Sequence, residues 1–534
     1  HQLTLNGYRG HNTDENVSPE ELMANPQFVE EEAYKVLAGQ KALPANHGMP
    51  PVQPLPFHRT LESMRRYFHR FGASLPSVME ALRKNDSLDR ANENEYGWRD
   101  IWMEELQLSR AEYRLLTDGT IGLHKLYGYT SSTPEAEVPA KLSDAKHFAR
   151  RMGISHEELV DILRTRFINP NAVLLPKLER LGVPFSTLKK LKEGTITGEA
   201  FDEAVAPGVD PAQYGGDIKA WVKNEENYKR IMGLITLVDP TDEEDPCSFA
   251  ELEFRYAGGG KLRDFEYYRL YRFIRLWKKL GWSIEQTDKA IMALYPPDRI
   301  PDDTDDGVNL QRLDEGFAIL LCRLGAIRRL FREMDLKPDK DLLPLLTCFA
   351  PMDTYGADSL YRQLFLSPAM LKLDDAFADN GYGQYLDGSK LLSDHAETLR
   401  KAFQLNEDEF GAILSALGFD GEDGMPAKLT LENISAIYRR GWLAKKLKLG
   451  VAEFLGLTGY TGIDPFAAPD PKEPETAADR SDPDASLPPI LRFCRLVRRL
   501  QAVSLKPEQA LYLVWDEDIY GKSAPGETEI LKTA

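Results

Sequence analysis

Several short stretches carry side chains of the kind that bind metals, phosphates or protons, and their spacing decides what each can do. His156-Glu157-Glu158 begins like a zinc helix, but H-E-x-x-H needs a second histidine four residues on, where this chain has Val160. His156 follows Ser155 and reads as a solvated first-turn residue of a capped helix. GGGK at 258–261 lacks the frame of a phosphate loop, because Leu262 stands where a hydroxyl would hold magnesium; it reads as a strand-end turn. Asp302, Thr304, Asp306 and Gly307 follow the opening of a calcium loop, yet the twelfth position is Leu313 instead of a bidentate glutamate. The bland reading is an acidic loop before a helix. The run DPTDEEDP, beginning at Asp239, is likewise expected to be a solvated hairpin tip. There is no G-x-S-x-G, the Ser beside His156 reads as a helix cap, and paired carboxylates mean nothing for glycosidase chemistry without distances. We therefore expect no catalytic, cofactor-binding or metal-ligating residues, no cofactor, and no enzyme.

Composition narrows the partners. Lys and Arg total 66 against 84 Asp and Glu, a net charge of -18, which is the wrong sign for affinity gained by displacing counterions from phosphates. Nucleic acid is disfavoured. Cys247, Cys322, Cys348 and Cys494 lie far apart without a C-x-x-C pair, so free and mostly buried thiols are expected. No run of about 18 apolar residues marks a membrane helix, and HQLTLNGYRG lacks the regions of a signal peptide. The start without methionine and the polar finish TEILKTA suggest an excised piece of a longer protein.

The elements show a repeated corner. In YRFIRLWKKLGWSIEQTDKAIMAL, 271–294, Phe273, Leu276, Trp277 and Leu280 fall on one helical face and Arg272, Arg275, Lys278 and Lys279 on the other. Ser283 with Gln286 three residues later forms a capping-box pattern that starts a second helix. The same junction recurs at Ser74, Ser109, Ser155 and Asn406, with Glu112, Glu158 and Glu409 answering the last three, and in degraded form at Pro184, Lys337, Gly450 and Lys506. Pro338 and Pro507 take the first helical position, where a missing N–H costs nothing. The apolar residue before each cap can staple onto the new helix, as Leu108 with Tyr113, Ile154 with Leu159 and Leu405 with Phe410. Upstream, Ile327, Leu330, Phe331 and Met334, and Met64, Tyr67, Phe68 and Phe71, repeat the packing stripe of Phe273 to Leu280. With no fixed period, these corners predict an irregular helical array and not a strict solenoid. The apolar stripe of 271–294 is then core and not a membrane or partner face, and its basic residues pair with neighbouring carboxylates or face water.

The fold class is mainly α, with one short β-hairpin near 232–257 in which Leu252, Phe254 and Tyr256 share a face. We divide the chain into an N-terminal helical segment with a proline-rich linker (1–56), a first helical part (57–230), the hairpin with its acidic loop (231–260) and a second helical part (261–534). Residues 463–489, rich in Pro, Asp and Ala, read as a loop or linker.

YRFIRLWKKLGWS, PCSFAELEFRYA, LPFHRTLESMRRYFHRFGAS, LENISAIYRRGWLAKKLKLG and LTGYTGIDPF, with ANPQFVEEEAYKVL and LFLSPAM, resemble the A subunit of bacterial Tc insecticidal toxin complexes, collinearly from about residue 20 to about 525. The resemblance implies a very large secreted chain that forms a bell-shaped homopentamer, its helical shell enclosing a channel through which the B and C components deliver a toxic enzyme into host cells. This chain resembles an interior piece of that shell. It lacks the channel helices, the B-docking end, the neuraminidase-like domain and any receptor-binding β-sandwich, so the resemblance implies a structural, non-enzymatic role at the host-cell surface. Two alternatives remain: a host receptor or glycan module using the strand pair, and a hydrolase whose carboxylates the fold brings together in a deep polar pocket.

Overall fold

The computed structural model describes residues 59–90, 92, 94–129, 133–239, 252–420, 426–471, 482 and 484–516. Nine helix-corner-helix pairs dominate them: α1 (Arg59–Arg70) with α2 (Leu75–Leu82), α3 (Trp98–Glu105) with α4 (Arg110–Thr117), α5 (Ala145–Met152) with α6 (His156–Arg164), α7 (Leu175–Leu181) with α8 (Phe185–Glu193), α9 (Asp264–Leu280) with α10 (Ile284–Leu294), α11 (Asp306–Glu333) with α12 (Pro338–Leu346), α13 (Ala396–Phe403) with α14 (Glu407–Ala416), α15 (Leu431–Lys446) with α16 (Val451–Thr461), and α17 (Pro489–Ala502) with α18 (Pro507–Trp515). The mainly α class is as expected.

Every junction read from the sequence starts a helix where expected. Ser109, Ser155, Ser283 and Asn406 each accept the N–H of the third helical residue, and Glu112, Glu158, Gln286 and Glu409 accept in return. Ser74 caps α2 through Ser77 N–H. At two caps without a suitable side chain the reciprocal bond still forms: Glu453 accepts Gly450 N–H at 2.8 Å and Gln509 accepts Lys506 N–H at 3.1 Å.

One feature of the corner escaped the sequence reading. The residue two before each cap is left-handed, with φ between 51° and 69°: Gly72, Gln107, Gly153, Gly182, Gly281, Asp335, Gln404, Lys448 and Ser504. In seven corners the next N–H reaches back five residues to a carbonyl, as Leu108 to Met103 at 2.9 Å and Leu405 to Arg400 at 2.9 Å. The helix thus ends in a Schellman motif whose apolar residue immediately precedes the next cap. That shared apolar residue is buried in Leu108, Ile154, Val183, Trp282, Leu336, Leu405 and Leu449.

Successive hairpins stack. First helices meet first helices (α9 on α11, α13 on α15), second helices meet second helices (α6, α10 and α12 in one row; α14, α16 and α18 in another), and α12 against α15 joins the two groups. The long α11 packs on α3, where Gly325 admits the Trp102 backbone so closely that a Cβ would lie 2.7 Å from its carbonyl oxygen. One continuous apolar core runs through these helices from Trp98 to Leu511. A second, smaller core gathers Leu178, Leu188, Phe201, Tyr214, Val222 and Ile231 around α7 and α8.

The expected hairpin is present as β1 (Ile235–Val238) antiparallel to β2 (Glu253–Tyr256), in register from Ile235 with Tyr256 to Val238 with Glu253. Phe254 is fully buried, and Leu252 and Tyr256 pack on the same core. The outer edge of β1 is covered at Ile235 by the Asn169 amide, which accepts its N–H at 2.8 Å and donates to its carbonyl at 2.9 Å. A second antiparallel pair, β3 (Asp387–Leu391) with β4 (Lys428–Thr430), was not foreseen; DGSKL carries no run of β-branched or aromatic residues to signal it.

Candidate functional site

The stretches singled out for chemistry stay apart. His156 lies exposed in the first turn of α6. Residues 258–261 make a turn beyond β2, with Gly259 at φ 90° donating to Tyr256 O at 2.7 Å. Asp305 caps α11 by accepting the N–H groups of Gly307 and Val308, Asp302 pairs with Arg312, and Leu313 is core. The acidic tip after Asp239 lies outside the described residues, as does Cys247. Cys322, Cys348 and Cys494 are free and buried, and burial pushes the Cys322 thiol to about 11 and the Cys494 thiol to about 12. Among the described residues no group of three or more His, Cys, Asp or Glu side chains is set to hold a metal ion.

The basic face of α9 pairs with carboxylates as expected, and part of it is buried. Phe273, Leu276 and Leu280 are buried as expected, but Arg272 is fully buried too. It pairs with Asp314 of α11 and sits 5.6 Å from the centre of the Phe317 ring. Lys279 meets Glu112, the acid of the α3–α4 corner, at 2.8 Å. Lys278 donates to the carbonyl oxygens of Met152 and Gly153 at the end of α5.

Two buried polar clusters are the closest approach to a chemical constellation, and the sequence reading found neither. In the first, Asp288 of α10 accepts the N–H groups of Arg166 and Phe167 at 3.0 and 2.8 Å and the Tyr355 hydroxyl at 2.9 Å. Beside it Lys289, nearly buried, reaches Glu285 at 2.6 Å and Asp353 at 2.7 Å, while the Arg166 guanidinium lies 3.8 Å above the Tyr355 ring. Burial raises both Asp288 and Asp353; the two N–H donors and the tyrosine oppose it at Asp288, and Lys289 opposes it at Asp353. The Tyr355 hydroxyl is pushed up by burial and then by Asp288. These groups satisfy one another and anchor the loop after α6 and residues 353–360 to α10.

The second cluster ties five elements together. Arg329 of α11 is fully buried, 2.7 Å from Glu105 and 2.9 Å from Glu80, with the Trp102 ring 4.5 Å from its guanidinium carbon. The approach to Glu80 is an ion pair without hydrogen-bond alignment. Glu80 also meets Arg495 of α17 at 2.7 Å, and Arg495 continues to Glu333 and to Asp484. Burial raises the Glu80 carboxyl, but the Arg495 hydrogen bond and the charges of Arg329 and Arg495 outweigh it and hold the group below its ordinary value. Sequence could have hinted at this: Arg329 stands two residues after Ile327 and one before Leu330, inside the apolar stripe of α11.

A shallow pocket of about 250 Å³ opens between α6, α7 and β1, lined by Leu163, Leu175, Phe185, Leu234 and Leu237 among others. Glu179 is its one carboxylate and Arg164 its one guanidinium, so it holds no pair of facing acids. No helix among the described residues is long and apolar enough to cross a membrane.

No protein-family model and no curated protein matches this sequence. Among solved structures, TcdA4 of Morganella morganii matches over 56% of this chain at 17% identity and a TM-score of 0.33. The match takes in 12% of the length of that protein.

Proposed function

We propose that this chain is a non-enzymatic structural segment of the outer shell of a Tc-type toxin A subunit, contributing there to the walls of a pentameric translocation machine. The reading rests on the collinear motifs, two of which run into structural corners: YRFIRLWKKLGWS runs through the end of α9 into its turn, and IYRRGWLAKKLKLG does the same for α15. Buried charges paired within the scaffold and a mainly apolar pocket are what a packing element has. In this reading the subunit is secreted, other A subunits are its partners, B and C components bind elsewhere, and a host receptor meets the assembled particle.

The test is electron microscopy of the protein that contains this segment. The expected result is a bell-shaped oligomer with residues 59–516 in its outer wall. An absent oligomer, or density for these helices inside a channel, overturns the reading.

A further inference from the structure

Asn169 and Ile235 stand 66 residues apart in sequence and meet at one point. The buried Asn169 amide bonds both main-chain groups of Ile235 and also donates to Leu163 O at 2.7 Å. The chain therefore leaves the main body at Asn169 and returns to it at Ile235 through a single stem.

What lies between, residues 170–234, packs on itself. Among the described residues, every buried side chain of the second core except Tyr382 comes from 174–234. The helix Ile218–Lys223 packs on α8 and on the helix Glu225–Met232, and no helix of this stretch has its main packing against a helix outside it. Its ion pairs are internal as well: Lys192 meets Glu225 at 2.5 Å and Lys219 meets Asp202 at 2.7 Å. The seam with the main body is incompletely filled. The pocket of about 250 Å³ lies in it, with Leu163 and Leu237 on the body side and Leu175 and Phe185 on the other.

Close to the stem, the turn after β2 adds Ala257 N–H to Leu234 O at 2.8 Å and Gly258 N–H to Met232 O at 3.0 Å. Farther out, one turn reaches across. On its two sides Phe377 and Tyr385 pack in the main core, Phe377 stacked on Phe365 with ring centres 4.4 Å apart and Tyr385 against Tyr361 at 4.7 Å. Between them Asn380 accepts Tyr382 N–H at 2.8 Å, left-handed Gly381 and Gly383 flank the tyrosine, and its side chain enters the second core. The Tyr382 hydroxyl accepts Asp210 N–H at 2.8 Å, and its ring meets Tyr214 edge-on at 5.9 Å. Arg180 donating to Gly381 O at 3.4 Å and Asn380 donating to Gln213 at 3.3 Å are longer contacts beside it.

We propose that residues 170–234 form a lobe that swings as a folded unit about the Asn169–Ile235 stem, with Tyr382 as the clasp that holds it closed. Opening separates Leu175 and Phe185 from Leu163 and Leu237 and leaves the packing within the lobe and within the main core in place, as in a hinge between rigid bodies. This device does not depend on the shell reading above.

Pulsed dipolar electron spin resonance on the full 534-residue chain, carrying Cys247→Ser, reads the motion as a distance. Spin labels at Lys190→Cys and Lys401→Cys, both exposed, span the seam, and labels at Lys190→Cys and Glu203→Cys lie within the lobe. The seam pair is expected to give two distances. The longer population is expected to grow about fivefold in Tyr382→Phe, which loses the bond to Asp210 N–H, and to grow further in Tyr382→Ala. The pair within the lobe is expected to keep one narrow distance in all three proteins. A single seam distance that neither substitution changes would overturn the proposal. So would a lobe pair that broadens in step with the seam pair, because the lobe would then be unfolding and not swinging.

Discussion

The ammonium of Lys278 lies 2.6 Å from the carbonyl oxygen of Met152, 126 residues earlier in the chain. It places a cation at the negative end of α5 and satisfies oxygens that the helix end leaves in need of donors. Lys278 is exposed, so the contribution is modest: Lys278→Ala is expected to cost about 1 kcal/mol. Lys278→Arg is expected to retain most of it, and urea midpoints compared at constant slope will show both.

Arg329 has no access to water, and its charge is balanced by Glu105, Glu80 and the Trp102 ring. Without Arg329, Glu80 keeps Arg495 and Glu105 keeps Arg332, but both carboxylates lose the buried cation between them. Arg329→Ala is expected to destabilise by about 3 to 5 kcal/mol. Arg329→Lys is expected to recover only part of this, since an ammonium cannot reproduce the planar stack on Trp102. Thermal melts of the two variants beside wild type provide the check.

Glu80 and Asp353 should answer to pH in opposite senses. The folded pKa of Glu80 is depressed, so its stabilising effect is present above its unfolded pKa and is lost as the pH falls through the folded value. The folded pKa of Asp353 is raised, so its contribution is present below its unfolded pKa and is lost as the pH rises through the folded value. Glu80→Gln is expected to lag wild type by about 3 kcal/mol near neutrality, a gap that closes in acid. The wild-type advantage over Asp353→Asn is expected to shrink as the pH rises from acid. Denaturation series between pH 3 and pH 7, within about the range where carboxylates titrate, would contradict this if the two gaps moved together.

Two helical glycines should respond oppositely to the same substitution. A Cβ at Gly411 meets nothing within 4 Å, so Gly411→Ala is expected to stabilise α14 by up to about 1 kcal/mol. At Gly325 the added carbon would lie 2.7 Å from Trp102 O, and the overpacking, about 1 to 3 kcal/mol, is expected to exceed the gain in helix propensity. Calorimetric melting temperatures should move apart.

The left-handed corner positions offer a further contrast. Gly281 sits at φ 68° in open space, so Gly281→Ala is expected to cost about 1 kcal/mol from backbone strain alone. Gln404 holds φ 55° at the same place in the α13–α14 corner, and Gln404→Gly is expected to relieve about as much. Equal effects of one sign at both sites would refute the strain argument.

How much of this the sequence disclosed follows from the range of each interaction. A cap and its answering acid lie three residues apart, so Ser283 with Gln286 and Asn406 with Glu409 were readable, and with them both ends of most hairpins. The β1–β2 pair was readable because LITLV and LEFRY carry their own strand pattern. That Arg272 pairs with a carboxylate was legible, but its full burial was not, because its partner Asp314 is 42 residues away. The Asp288 and Arg329 clusters draw on elements up to hundreds of residues apart, and no local pattern records such meetings. Met64, Tyr67 and Phe71 show the converse: their stripe was legible, but no described residue covers it. The left-handed residue was hidden because glycine marks only four of the nine corners.

The direction of the corner contacts bears on how the chain folds as it leaves the ribosome. The carbonyls of Met152, Leu280, Phe403 and Leu447 all wait for a donor synthesised after them, Lys278, Arg328, Lys445 and Gln501 in turn. A hairpin can therefore form by local capping as soon as it emerges, while its C-terminal carbonyls are completed only by a successor. At these four corners growth from the N-terminus leaves the acceptor carbonyls uncovered until the later helix arrives, so each is least protected just after it is made.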